Sequence, residues 1–208
     1  MTGADARRIT QQPIERLEQN LVRSYEKGVR ENGEMPALTD YFKKESFTYR
    51  EMAREIAKLH MLFDKCGIGR GDKISLIGRN NPRWCMTYVA VVTYGAVIVP
   101  ILQDFNANDM HHIIHHSDSK LLFCGDTLWA NIDPEQIEQV AAMFSLTDFH
   151  CIYERGEGGI KAFQDNIEAE FGARYPEGFT SADIVYPDVP NDQIVLINYT
   201  SGTTGFSK

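Results

Sequence analysis

Residues 84–102 read Trp84-Cys85-Met86-Thr87-Tyr88-Val89-Ala90-Val91-Val92-Thr93-Tyr94-Gly95-Ala96-Val97-Ile98-Val99-Pro100-Ile101-Leu102, nineteen residues without a charge. That is close to the roughly 20 residues that cross a bilayer. The stretch also holds Thr87, Thr93, Gly95 and Pro100, and the β-branched run Val97-Ile98-Val99 follows the glycine directly. A buried helix, a glycine turn and a buried strand fit this order better than one membrane span.

Working outward, the same alternation recurs. Pro82 opens the helix that runs to about Tyr94. Upstream, Ile74 to Ile77 is a short apolar strand behind the Gly69–Gly71 turn and Asp72. Ahead of that turn, Thr48 and Glu51 form a capping box. It opens a helix striped by Tyr49, Met52, Ile56, Leu59, Phe63 and Cys66, with Gly67 at its end. Ala37–Thr39 and Ser46-Phe47 read as a hairpin, and Pro13 opens a first helix carrying Ile14, Leu17, Leu21, Tyr25 and Val29. Downstream, a helix over about 108–116 starts at Asn106 or Asn108, and Leu121 to Cys124 is a strand. Asp133, Pro134 and Gln136 open a helix with Ile137, Val140, Ala141 and Phe144. Phe149 to Tyr153 is a strand, Ile160, Phe163, Ile167 and Phe171 share one helix, and Ile194 to Asn198 is the last strand.

Strands with continuous apolar runs, alternating with helices, predict an α/β fold with a parallel sheet covered by helices on both faces. The helix and short hairpin of residues 1–47 are an addition in front of an α/β subdomain over 48–208. With 43% hydrophobic and 24% charged residues, 208 residues can bury a core without staples. A net charge of −8 without a basic stripe argues against nucleic acid as a partner. Cys66, Cys85, Cys124 and Cys151 lie far apart with no C-x-x-C pair and read as buried, reduced thiols. The polar start, Met1 to Pro13, is no secretory signal, so a cytoplasmic address is expected.

The last strand runs into Tyr199-Thr200-Ser201-Gly202-Thr203-Thr204-Gly205-Phe206-Ser207-Lys208. Gly202 and Gly205 permit tight turns and close backbone approach. Thr200, Ser201, Thr203 and Thr204 offer hydroxyl donors, and Lys208 a positive charge. Such a loop at the C-terminal end of a strand suits a polyphosphate. The spacing G-x-x-G-x-x-K is neither G-x-x-x-x-G-K-[ST] nor G-x-G-x-x-G. A polar surface turn is the alternative.

This motif resembles the phosphate-binding loop of the adenylate-forming superfamily, which includes acyl-CoA synthetases, firefly-type luciferases and peptide-synthetase adenylation domains. Ser207 stands where that family usually has proline. Phe47-Thr48-Tyr49-Arg50-Glu51, Gly71-Asp72-Lys73-Ile74 and Gly95-Ala96-Val97-Ile98-Val99-Pro100 are similar to further family segments, in the right order. Asn81-Pro82-Arg83-Trp84 resembles an element of long-chain fatty acid–CoA ligases.

The resemblance implies the following chemistry. A carboxylate attacks the α-phosphate of ATP held with Mg2+, pyrophosphate leaves, and the CoA thiol displaces AMP. Thr200, Ser201, Gly202, Thr203, Thr204, Gly205 and Lys208 would bind the β- and γ-phosphates. The rest of the family's site would lie beyond Lys208, so this chain is expected to be a piece of a longer gene product. It is expected to be inactive alone, with a disordered terminal loop and no complete set of catalytic or metal-binding residues. Small molecules are the expected partners; peripheral membrane contact and oligomeric state stay open. An adenylating enzyme for an aryl or amino acid is an alternative, as is a non-catalytic flavodoxin-like module that binds an anion.

His111, His112, His115 and His116 have i, i+4 metal-ligand spacing but no strong third ligand, and read as a solvated helix face. Trp84 and Tyr88 read as core, and Asp72 and Asp104 as isolated turn or cap carboxylates.

Overall fold

The computed structural model describes residues 20–200. Helix α1 spans Leu21–Glu31, strands β1 and β2 span Pro36–Asp40 and Glu45–Thr48, and α2 spans Tyr49–Lys65. Then follow β3 (Lys73–Ile77), α3 (Pro82–Tyr94), β4 (Val97–Ile101), α4 (Ala107–His116) and β5 (Ser119–Cys124). After two single 3₁₀ turns come β6 (Ala142–Ser145), β7 (Cys151–Glu154), α5 (Ile160–Asp165) and α6 (Ile167–Arg174).

The main sheet has the order β4-β3-β5-β6-β7. Its first four strands are parallel, and β7 runs antiparallel to β6. Ile74, Leu76, Ile98, Leu121, Phe123 and Phe144 pack on one face against Ile56, Leu62 and Phe63 of α2 and Met86 and Ala90 of α3. Ile77, Val99, Leu122 and Met143 pack on the other against Met110, Ile113 and Ile114 of α4. The expected two-sided α/β fold is therefore present, with an antiparallel edge strand added. Among the described residues no helix is long and apolar enough to cross a membrane.

The helix ends follow their sequence signals. Thr48 Oγ1 accepts from Glu51 N while Glu51 accepts from Thr48 N, closing the capping box. At the other end of α2, Ile68 N donates to Phe63 O and Gly67 N to Asp64 O, with Gly67 at φ +67°. That is the Schellman arrangement, which a side chain at position 67 would strain. Asn81 caps α3 and Asn106, not Asn108, caps α4.

Four expectations need correction. The described part of the first helix starts at Leu21, capped by Asn20; residues 13–19 lie outside the described residues. Its inner face is Val22, Tyr25 and Val29, whereas Leu21 is 49% exposed. The helix expected after Asp133 is one 3₁₀ turn, Pro134–Gln136, and Ala142–Ser145, with Phe144, is strand β6. The apolar spacing there came from a turn followed by a fully buried strand, which periodicity alone does not separate from a helix. The helix over 160–171 is two helices meeting at Asn166, whose side chain bonds Ala162 O. Finally, Ile194–Asn198 makes only an isolated parallel bridge, Ile98 to Leu196. Ile98 N donates to Val195 O and Ile197 N to Ile98 O. The next rung would need an N–H from residue 100, which is proline.

The four cysteines are free: Cys124 and Cys151 are buried, Cys66 and Cys85 half-buried. Burial pushes the thiols of Cys66 and Cys124 up to about 12 and that of Cys151 to about 11, which keeps them protonated.

His60 is the most perturbed histidine. It keeps some surface, but its ring is enclosed by Phe63, Tyr94 and Tyr186, with centroids 6.3, 5.3 and 5.7 Å away. Its Nε2 lies 3.0 Å from Ala90 O. Burial lowers its pKa to about 4. Below its unfolded value of about 6.5 the unfolded chain takes up a proton that the folded one refuses. Stability should therefore fall by about 2 kcal/mol between pH 7 and pH 5 on this account. Urea denaturation at the two pH values checks this, and His60→Gln should flatten the difference. Thr48→Ala should cost about 1 kcal/mol in the same assay by removing the cap.

Candidate functional site

β3 and β4 are neighbours, yet the helices that follow them lie on opposite faces of the sheet: α3 packs with one core and α4 with the other. Adjacent strands whose connections diverge leave a crevice at their C-terminal ends, the place where open α/β sheets bind ligands. A groove of about 490 Å³ occupies that crevice. Gly78, Arg79 and Asn80 line it from the loop after β3, and Leu102, Gln103 and Asp104 from the loop after β4. Trp84 and Asn198 complete the wall.

The segment carrying the glycine-rich loop arrives at this groove along the β4 edge. Asn20 Nδ2 holds Val189 O at 2.8 Å, and Gln193 Nε2 holds Gly95 O at 2.8 Å. Gly95 takes φ +87° and ends α3, and its carbonyl also accepts from Gly71 N at 2.9 Å. The Ile98 bridge fixes the next step. Tyr199, the first residue of the motif, is buried at 7% exposure. Its hydroxyl shares a 2.7 Å hydrogen bond with His116 Nδ1 at the C-terminal end of α4, and the two rings meet edge to face at 5.8 Å. Burial raises the Tyr199 pKa, so the hydroxyl stays protonated. Thr200 is the last described residue. Ser201, Gly202, Thr203, Thr204, Gly205 and Lys208, and with them the expected disorder of the loop, lie outside the described residues.

The histidines do not form a uniform solvated face. His111 is 6% exposed, and its Nε2 accepts from Asp133 N at 2.8 Å. That bond places the neutral proton on Nδ1, which has no partner among the described residues. Burial lowers its pKa, partly opposed by Asp133. The His112 and His116 rings lie 5.6 Å apart, tilted by 33°, with His116 bonded to Tyr199. Among the described residues no group of three His, Cys, Asp or Glu side chains could hold a metal ion.

Two further readings change. Trp84 is half-buried, stacks on Tyr88 at 5.8 Å and lines the groove, rather than belonging only to the core. Asp72 is not isolated: Lys120 Nζ is 2.9 Å away and Gly69 N donates to it at 2.7 Å. Burial alone would raise the Asp72 pKa, but these partners outweigh it and lower it. Arg79, Asn80 and Gln103 were missed because a polar residue after a strand carries no motif. Their signal is positional: they follow the C-terminal ends of neighbouring strands.

A family model described as "AMP-binding enzyme" matches residues 25–208. This chain belongs to the AMP-binding enzyme family. Long chain acyl-CoA synthetase 3 of Arabidopsis thaliana is 24% identical over 168 residues, 77% of this chain and 24% of the relative. The 4-hydroxybutyrate–CoA ligase 2 of Metallosphaera sedula is 30% identical over 151 residues, 68% of this chain and 25% of the relative. The chain thus spans about a quarter of the length of the curated relatives it matches. Among solved structures, an anthranilate CoA ligase in complex with anthranoyl-AMP superposes with a TM-score of 0.69 at 18% identity. It matches 99% of this chain and 34% of its own. A long-chain-fatty-acid-CoA ligase from Archaeoglobus fulgidus gives 0.68 at 20% identity, over 90% of this chain and 36% of its own. This family member therefore has the fold of the N-terminal subdomain of the adenylate-forming structures, with Asn198 at the crevice of its sheet.

Replacing Tyr199 by Phe keeps the buried ring and removes the hydroxyl bond to His116. The expected loss is about 1 kcal/mol in chemical denaturation, with no change in far-ultraviolet circular dichroism.

Proposed function

We propose that this chain forms the leading part of an ATP-dependent acyl–CoA ligase, with a long-chain fatty acid as the carboxylate substrate. The observation that carries this reading is the placement of Tyr199, where the motif begins. Tyr199, with Thr200 next to it, is tethered beside the crevice between β3 and β4, so the loop that follows starts at the ligand-binding edge of the sheet. In this reading residues 48–208 form the subdomain that carries the loop and residues 1–47 a piece added in front.

Thr200, Ser201, Thr203 and Thr204 would donate hydroxyl hydrogen bonds to the β- and γ-phosphates. Gly202 and Gly205 would let backbone N–H groups approach them, and Lys208 would offset their charge. Held this way, the α-phosphate is open to an acyl carboxylate, and the growing negative charge on the pyrophosphate leaving group is met by donors already in place. Mg2+ bound with ATP would neutralise further phosphate charge. The described residues offer no carboxylate cluster for it, so no step is assigned through the metal. CoA is the acceptor in the second half of the reaction.

The carboxylate itself has a second reading. Relatives of similar identity are named for other acids, including the hydroxybutyrate ligase and a feruloyl-CoA synthase at 28% identity. The half-buried Trp84 beside Leu102 gives the groove one apolar wall, which an alkyl chain or an aryl ring could contact.

The test is ATP–pyrophosphate exchange, dependent on added acid, by the longest polypeptide encoded by the reading frame that contains this sequence. Exchange with long-chain acids, reduced at least about 100-fold by Lys208→Ala, is the expected result. Exchange restricted to short, aryl or amino acids replaces the substrate and keeps the chemistry. A folded full-length product that exchanges with no acid overturns the ligase reading in favour of a non-catalytic module.

A further inference from the structure

The turn of the β1–β2 hairpin carries two aromatic side chains that nothing among the described residues covers. Phe42 is 93% exposed and Tyr41 84%. Their rings touch edge to face at 5.7 Å. Lys43 and Lys44 follow directly, both exposed. An aromatic pair left this open at a loop tip exposes surface that a partner would bury.

The hairpin is built to hold these side chains outward. Asp40 Oδ1 accepts from the backbone N–H groups of Phe42 and Lys43, each at 2.9 Å. Lys44 takes a left-handed conformation at φ +53°, which closes the turn. The Thr39 and Ser46 hydroxyls bond across the strands at 2.9 Å. At the base, Arg83 grips Glu45 with two bonds of 2.9 and 3.1 Å and lies 5.4 Å over the Phe47 ring. The two acids of the hairpin are thus engaged, Asp40 by the turn's own N–H groups and Glu45 by Arg83, whose hydrogen bond lowers the Glu45 pKa. Arg83 offsets the Glu45 charge, while Asp40 keeps its own beside Lys43 and Lys44, so the tip stays net positive.

We propose that this tip docks on a phospholipid bilayer that carries anionic headgroups. Phe42 and Tyr41 enter the boundary between headgroups and acyl chains, and Lys43 and Lys44 meet the lipid phosphates. Charge complementarity selects this occupant. The chain as a whole carries a net charge of −8, so an anionic surface repels it in most orientations and accepts it where Lys43 and Lys44 follow an exposed aromatic pair. The fixed turn lowers the entropy lost on docking. A second groove of about 250 Å³ lies under the tip, lined by Tyr41, Phe42, Pro82, Cys85 and Asn80. Asn80 also lines the groove between the ends of β3 and β4, so docking brings that crevice towards the lipid. The docking does not depend on the ligase reading.

Flotation of the full-length product with phosphatidylcholine vesicles, with and without phosphatidylglycerol, tests this. The wild type is expected to float with the phosphatidylglycerol vesicles and to be released as salt is raised. Phe42→Asp, and separately Lys43→Glu with Lys44→Glu, should lower the bound fraction at least tenfold. Phe42→Trp should keep binding and shift its emission to the blue on vesicle addition. Tyr41→Ser is a second, milder variant, and matching circular dichroism shows that each variant folds. No flotation, flotation unchanged in the tip variants, or a dimer in sedimentation that the same variants break would each overturn the proposal. The last result would assign the tip to a second copy of the chain.

Discussion

Strand β3 has no face left for solvent. Ile74, Ser75, Leu76 and Ile77 are all at 0% exposure, so the strand must be roofed on both sides. α2 and α3 cover one face and α4 the other. Because the chain leaves β3 towards one face and β4 towards the other, the loops that follow them part and open the crevice. The site is thus a by-product of burying the central strands. Even the polar atom in this strand is settled internally, since Ser75 Oγ bonds Ser119 Oγ at 2.7 Å, and Ser119 shares a further bond with Ser117 at 2.8 Å.

The position of the segment that leads to Tyr199 then rests on a few directional contacts. Ile98 gives the incoming segment its two hydrogen bonds, Pro100 stops the ladder there, and Tyr199 locks onto His116. A longer strand would carry the backbone further along β4 with every N–H paired. Ending the ladder at Ile98 leaves Asn198 and Tyr199 out of the sheet, with Asn198 on the groove and Tyr199 on His116. The hairpin is treated the opposite way: its acids are engaged, its turn is fixed, and its aromatic and basic side chains are left outside.

Much of the fold was legible because local and tertiary preferences agreed. The capping box at Thr48, the Asn81-Pro82 start and the Gly95 stop marked helix ends through backbone chemistry that does not depend on distant residues. Where burial overrode local pattern, the reading failed. Ile137, Val140 and Phe144 have helical spacing, yet the slot beside β5 needed a strand, and β6 fills it. Leu21 is apolar, but the register of α1 is set by Val22 and Val29 meeting the core, with Glu26 buried between them by its hydrogen bond to Tyr186 N. His111 looked like one of four surface histidines until its packing against the Asp133 turn gave it a buried role.

By itself the sequence determined the α/β class, the ends of α2 and α3 and the chemistry available to the glycine-rich motif, because these follow from residue identity and spacing over a few positions. The tertiary structure alone decided which strands became neighbours, that Trp84, Asn80 and Gln103 share one groove, and that Tyr199 sits against His116, 83 residues away in the chain. Those facts depend on long-range burial, where each side chain takes the place that the whole core leaves for it, and no short stretch of sequence carries that information.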